Sequence, residues 1–301
     1  MAWMKNGGTV SRGQIACRAV AALLALLLFV QLIYTLVIAP DDDQLYVHVL
    51  DVGQSDAILL RCGDRVMLID TGTATEQEAL HTALLYYGVS KIDCLVLTHL
   101  HEDHIGNARY LLSQYTVGQV LMPLTVSDEL AATLLYESLA QGAVPVTVAE
   151  PMASFSFGAA SCRVLYAPVL ESLEDVNNES LVLHLSFGAS SFLFMGDGEE
   201  PLEQKLLATV DAAYLDCDFL KVGHHGAKAS AGSDFLAAVT PRYAAISCGK
   251  NNSHGFPHAD TLARLGAVGA EIHRTDESGT LSFCCDGATI TLMKEGGIAY
   301  A

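Results

Sequence analysis

Residues 98–107 read THLHEDHIGN. Three of the chain's eleven histidines, His99, His101 and His104, fall within six positions, with Glu102 and Asp103 between them. The run just before, CLVLT at 94–98, is short, apolar and bounded, as a buried strand is. Residues from about 105 onward read as a helix, so the cluster occupies a strand-to-helix loop. His99 and His101 can turn to one side of such a loop, with Asp103 and His104 beside them. Imidazole nitrogens and carboxylate oxygens are suitable ligands for zinc, iron or manganese. A merely polar, hydrogen-bonded loop does not account for four donors at H-x-H-x-D-H spacing.

Outward from this loop, the chain alternates strands and helices. LYVHVL, AILLR and VMLID read as strands before it, and EQEALHTALLYYG as a helix ending at Gly88. Beyond it come strand QVLM, helix DELAATLLYESLAQG, and strands VPVTV, SCRVLY, SLVLHLSF and SFLFMG. The last third alternates helix 199–209, strand DFLKVG, helix 233–239, strand YAAIS, helix 259–265 and strand EIH. Strands 280–284 and 288–293 close the chain. Strands in both halves with helices outside predict an α/β chain folded as a four-layer αββα sandwich over 45–294. No repeat, low-complexity stretch or proline-rich linker interrupts it.

The N-terminal part is different. From Ala19 to Ala39 there is no charged side chain, and the whole chain is 51% hydrophobic. Twenty-one residues at helical rise span about 30 Å, the thickness of a bilayer core. The reading is one N-terminal transmembrane helix at 19–39, after a short cytoplasmic segment at 1–18. Lys5, Arg12 and Arg18 precede the span and Asp41, Asp42 and Asp43 follow it, which places the rest outside the cytoplasm. A cleaved signal peptide, giving a secreted protein, is the rival. Pro40 after Ala39 and an apolar run longer than the usual 7–15 residues count against cleavage. The part from residue 41 onward carries 34 acidic against 13 basic residues, a surface that repels polyanions at long range. Cys17 lies before the span. The other seven cysteines are an odd number without zinc-finger spacing, and read mostly as small buried apolar residues.

With its companions, the opening motif resembles the metallo-β-lactamase superfamily of metallohydrolases. HVLDVGQSDAILL, LIDTG, NNESLVL, FMGDGE, LKVGHHGAK, GKNNSHGFPH and RTDESGTL follow in an order similar to the hydrolase domain of ComEC-type competence proteins, over about 45–285. The resemblance implies two divalent metal ions, zinc or manganese. It implies His99 and His101 on one metal, Asp103 and His104 on the other, and Asp197 as the bridging carboxylate. His225 is expected to complete the second metal, because the His-Gly step is the part shared with the wider superfamily. Asp70 would orient a ligand histidine, and His224 would lie behind the ligands or face substrate. Lys228, His258 and Asn252 are candidates for contacts to an anionic substrate, with Asp103 and His258 the expected proton carriers.

Strand geometry adds to this. SLVLHLSF and SFLFMG flank a turn at 188–190, and folding them back pairs Phe187 with Ser191 and brings Ser180 beside Asp197. Asn178 and Ser180 then stand where lactamases have a third histidine, and His184, some 10 Å along the strand, is structural. AILLR and VMLID fold back across CGDR, setting Ala57 opposite Asp70 and Asp56 opposite Thr71. Gln54 and Asp56 are thereby either site residues or a polar turn. The resemblance also shows departures: GAKAS for the usual GSKTS, Phe256 for the first histidine of an HPH, and GQSD for GQGD. The expected activity is a membrane-tethered, extracytoplasmic phosphodiesterase or nuclease, acting on a phosphodiester such as single-stranded DNA. A phosphocholine- or lipid-type esterase ranks second and β-lactam hydrolysis third. A non-catalytic metal-binding or docking module is the alternative of another class.

Overall fold

The computed structural model describes residues 12–33, 44–142, 144–168 and 176–293. The chain divides into an N-terminal unit within Met1–Pro40 and a larger unit within Asp41–Tyr300. The first contains α1 (Arg12–Ile33). This helix starts before the expected span and takes in Arg12 and Arg18. From Ala19 to its end it offers only about 22 Å of apolar length, against a hydrocarbon core of about 30 Å. Among the described residues no helix is long and apolar enough to cross a membrane. The transmembrane helix expected at 19–39 is therefore not found, and its last part, 34–39, lies outside the described residues.

The larger unit is built on two sheets. Its strands in chain order are β1 (Leu45–Val49), β2 (Ile58–Cys62), β3 (Arg65–Ile69), β4 (Lys91–Ile92), β5 (Cys94–Val96), β6 (Thr116–Val117), β7 (Val120–Met122), β8 (Val146–Val148), β9 (Ser154–Phe157), β10 (Ala160–Tyr166), β11 (Val182–Phe187), β12 (Ser190–Phe194), β13 (Phe219–Lys221), β14 (Tyr243–Ile246), β15 (Glu271–Arg274), β16 (Leu281–Cys285) and β17 (Ile290–Leu292). The helices are α2 (Gln77–Tyr86), α3 (Glu102–Ile105), α4 (Ala108–Gln114), α5 (Leu130–Gln141), α6 (Glu200–Thr209), α7 (Ala212–Leu215), α8 (Ser233–Val239), α9 (Ala259–Ala267) and α10 (Thr275–Ser278). One sheet runs β17-β16-β1-β2-β3-β5-β7-β8 and the other β15-β14-β13-β12-β11-β10-β9, with β4 and β6 a separate short pair.

The two sheets face each other across one apolar cluster that takes side chains from both. Phe219 stands at its centre, fully buried, with its ring 5.0 Å from Phe283 of the opposite sheet and 5.4 Å from Phe192 of its own. The outer face of the first sheet is covered by α2, α4 and α5, and that of the second by α6, α8 and α9. Strands covered on both faces are buried at every position rather than at alternate ones, and their polar side chains, His48 and Arg61 here, are hydrogen-bonded. β1 and β2 are accordingly buried throughout. This is the expected four-layer αββα sandwich.

Register fixes what reaches the upper edge. In the front hairpin Ile58 pairs with Ile69, the register expected. In the second hairpin Phe187 pairs with Ser190 and His184 with Leu193, one residue off expectation. The turn is tighter than supposed because Gly188 takes a positive φ of 61°, which glycine adopts without steric cost. β12, β13, β14 and β15 run parallel, so the loops that follow the first three emerge at one edge. All cysteines are free, six of the seven beyond residue 41 being buried.

Replacing Phe219 by alanine removes the ring that joins the sheets and should cost about 3–5 kcal/mol of unfolding free energy. Urea denaturation of the two proteins measures this, and a loss below about 1 kcal/mol would show that the aromatic cluster does not tie the layers together.

Candidate metal centre

The THLHEDH loop leaves β5 and is pinned from beneath by the backbone of two neighbouring loops. Thr71 N donates to His104 O at 2.7 Å, and Asp56 N donates to Asp103 O at 3.2 Å. Asp70, at the end of β3, accepts on one oxygen from Thr98 N at 2.8 Å. Its other oxygen takes the Thr98 hydroxyl at 2.7 Å and His104 Nδ1 at 2.8 Å. A carboxylate only accepts, so Nδ1 of His104 carries the proton and Nε2 is turned inward. Nε2 stops 3.2 Å from Asp197 Oδ1. Both atoms are buried without a hydrogen-bond partner, close but misaligned for a hydrogen bond, as two donors aimed at a third centre are.

Asp197 arrives from the other sheet, three residues past β12. Its backbone N–H donates to Ser180 Oγ at 2.9 Å, and its second oxygen lies 3.7 Å from His225 Nε2. His225 and His224 both adopt left-handed backbone, with φ of 52° and 45°. That conformation is uncommon outside glycine, and such strain gathers at functional sites. His225 Nδ1 donates to Ser247 O at 2.9 Å, which leaves Nε2 facing Asp103 Oδ2 at 3.3 Å. The loops meet through glycine: a Cβ on Gly223 would lie 2.1 Å from Gly198 O. Asp103, His104, Asp197 and His225 each offer a donor atom, all within 4.8 Å of one another.

His99 and His101 form a second, adjacent pair. His99 Nδ1 lies 3.1 Å from Thr98 Oγ1 and 3.3 Å from Ser180 Oγ. Its Nε2 faces His101 Nδ1 at 3.1 Å. These two residues do not join the four-donor group within the same radius, although the ring of His99 is 4.1 Å from that of His104.

The electrostatics follow from burial and pairing. Burial disfavours the imidazolium of His104, yet Asp197, Asp70 and Asp103 outweigh it and hold its pKa well above 6.5. His225 is likewise opposed by burial and pushed up to about 10 by Asp197, Asp103 and Asp56. Burial alone would raise Asp197, but His104 and His225 hold it well below the usual carboxylate range. His99, buried and beside His104, is driven well below 6.5.

The metallo-beta-lactamase superfamily profile matches residues 50–250. The chain belongs to that superfamily. It is 29% identical over 255 residues to ComE operon protein 3 of Bacillus subtilis (strain 168), covering 79% of this chain and 32% of that protein. It is 29% identical over 246 residues to competence protein ComA of Neisseria gonorrhoeae, covering 81% of this chain and 33% of that one. The similarity to ComEC-type competence proteins read from the motifs is borne out, and the chain spans about a third of the length of these curated relatives. The metallo-β-lactamase fold protein YhfI from Bacillus subtilis shares the fold at a TM-score of 0.53 and 13% identity, over 81% of this chain and all of its own. The superfamily fold and its clustered His and Asp donors make the chain a metal-dependent hydrolase.

His224 and Gln54 line the cleft in front of the cluster, and other expected site residues serve the surrounding loops. His258 uses Nδ1 to accept from Asp260 N at 3.2 Å, capping α9, and is not among the residues lining the cleft in front of the cluster. Lys228 is largely exposed and 3.5 Å from Asp260. Asn178 accepts from Glu199 N and Leu202 N at the start of α6, where the free N–H groups of a helix need acceptors. Asn252 bonds only to its own loop. His224 is drawn to Glu199 at 2.8 Å and stays 3.8 Å from Asp197. Gln54 accepts from Gly249 N at 2.9 Å.

Sequence reasoning missed Lys221. Its fully buried ammonium donates to Asp56 Oδ2 at 2.6 Å, and the other oxygen of Asp56 is 3.4 Å from His225 Nδ1. Asp56 therefore belongs to the site, with Lys221 neutralising it from below. A lysine inside the apolar strand DFLKVG was the available signal, since lysine is rarely buried without a partner.

The acids around His104 and His225 favour the protonated forms of both rings. A metal ion taken by the same nitrogens must displace their protons. Both pKa values are raised, so the competition is strongest at low pH and weakens as pH rises, for His225 towards about 10. Titrating Zn²⁺ near pH 7 in buffers of different ionisation enthalpy should register about two protons released per chain, with apparent affinity rising from pH 6 to 9. Calorimetric heats that do not depend on the buffer would contradict this.

Proposed function

We propose that the protein is a two-metal phosphodiesterase that cleaves phosphodiesters, single-stranded DNA among them, outside the cytoplasm. The observation that carries the reading is the cluster of Asp103, His104, Asp197 and His225, whose donor atoms lie within 4.8 Å of one another, with the His99–His101 pair beside it. Nitrogen and oxygen donors of this kind suit zinc or manganese. When bound, a metal pair supplies Lewis acidity and lowers the pKa of a water.

The chain's own residues do the rest. Asp70 and Ser247 accept from the outer nitrogens of His104 and His225, so the inner nitrogens are the ones a metal would take from their protons. Ser180 holds Asp197 by its backbone rather than standing in for a missing histidine. Asp103, a third exposed and lining the cleft in front of the cluster, is placed to hold a proton beside the reacting phosphate. His224, paired with Glu199, closes the opposite wall. An extracytoplasmic location is supported by the order of charges, basic before residue 19 and acidic after residue 40.

The protein loaded with Mn²⁺ or Zn²⁺ should cleave single-stranded DNA and a generic aryl phosphodiester, and His101→Ala and Asp197→Asn should each lose at least about 100-fold in kcat/KM. Turnover of phosphocholine esters alone would favour a lipid-type esterase and sink the reading. An alkaline phosphatase reporter fused after residue 293 should be active only if that end is exported, and an inactive, stably expressed fusion refutes the assigned location.

A further inference from the structure

The cleft in front of Asp103 and His225 has a volume of about 380 Å³. That is the scale of one nucleotide rather than of a strand. No lysine or arginine is among its lining residues, while Glu102 and Glu129 are. Two neighbouring cations are paired with residues outside the cleft lining, while Lys250, at the start of the 249–256 loop, is exposed and does not line the cleft. Lys228 pairs with Asp260, and Arg264 donates to the carbonyls of Lys228, Ser230 and Ala231. A site that follows a nucleic-acid backbone needs a basic groove, and the lining of this cleft supplies no cation to one. The chain as a whole carries a formal charge of −18.

The cleft offers aromatic faces instead. His254 and Phe256 lie stacked, with ring centroids 5.4 Å apart and planes at 23°. Phe256 meets His224 edge-on at 5.4 Å, and His224 is 3.8 Å from Asp197. The aromatic pair thus stands one ring away from the central carboxylate. Its loop is held rigid by one side chain. Asn252 Oδ1 accepts from His254 N and Phe256 N, and its Nδ2 donates to Gly249 O and Phe256 O. Gly249 N in turn donates to Gln54 across the cleft. A wall fixed before ligand arrives loses little conformational entropy on binding.

We propose that Phe256 and His254 form a base-stacking wall, and that the site selects nucleotide-sized phosphodiesters by their nucleobase rather than long strands by their backbone. This rests on the phosphodiesterase reading above. It assigns specificity to the loop in which Phe256 replaces a histidine, and a function to Asn252 as the latch of that loop.

The test uses the full chain loaded with Mn²⁺. The dissociation constants of thymidine 5′-monophosphate and methyl phosphate are measured by calorimetry for wild type, Phe256→Ala and Phe256→Trp. Wild type should prefer the thymidylate, Phe256→Ala should lose about tenfold of that preference, and Phe256→Trp should restore it. Equal binding of the two ligands by wild type, or a preference that Phe256→Ala leaves intact, overturns the wall. Hydrolysis of oligothymidylates of two, four and sixteen nucleotides is followed in parallel. A kcat/KM within about threefold across the series, with weak salt dependence, supports nucleotide-scale selection, and a steep rise with length and falling salt overturns it. A retained thymidylate preference with no hydrolysis of any phosphodiester supports the wall while overturning the reaction assigned above.

Discussion

Asp197 is a fully buried carboxylate, and much of the structure around it exists to make that tolerable. Removing an ionised carboxylate from water costs several kcal/mol unless charge and hydrogen bonds compensate. Here the compensation comes from two directions, His104 held by Asp70 and His225 held by Ser247, while the Ser180 hydroxyl accepts from the backbone N–H of Asp197. Each partner is locked by a second contact, so none can turn away to be satisfied elsewhere. Two such donors left facing the carboxylate, without the alignment of a hydrogen bond, make a cavity for a cation and a poor one for anything else.

That arrangement depends on the fold bringing two sheets to one edge. Asp70 and the histidine loop rise from the first sheet, and Asp197, His225 and Ser247 from the second. The phenylalanines between the sheets set their separation, and the parallel run β12-β13-β14 delivers three successive loops side by side. Glycine at 198 and 223 then lets two of those loops touch backbone to backbone. Lys221 completes the base of the site, because Asp56 would otherwise be a second buried, uncompensated carboxylate beside His225. At the mouth of the cleft the lining includes Glu102, Glu129, His254 and Phe256.

Much of this was legible in the chain before any coordinates. Apolar runs of strand length between helical periods imply the four layers, and H-x-H-x-D-H on a strand-to-helix loop implies a metal centre. The front hairpin could be registered residue by residue because its turn length is plain in the sequence. The second hairpin slipped by one, since two- and three-residue turns around Gly188 look alike as letters and differ only in φ. The apolar segment at 19–39 had span length as a string, whereas the described helix begins seven residues earlier, among charges, and 34–39 lie outside the described residues.

By itself the sequence determined the chemistry: which donors are present, in what order, and on which strand ends they sit. Backbone periodicity and strand-end position are local properties, and they survive in the linear code. Only the tertiary structure decided where each side chain points. His258 and Lys228 have suitable chemistry in the right segment, yet α9 and Asp260 claim them. Asn178 serves a helix start, Ser180 serves Asp197, and Lys221 reaches Asp56 across 165 positions of chain. Those assignments depend on which groups compete for one partner in space, and that competition is not written along the chain.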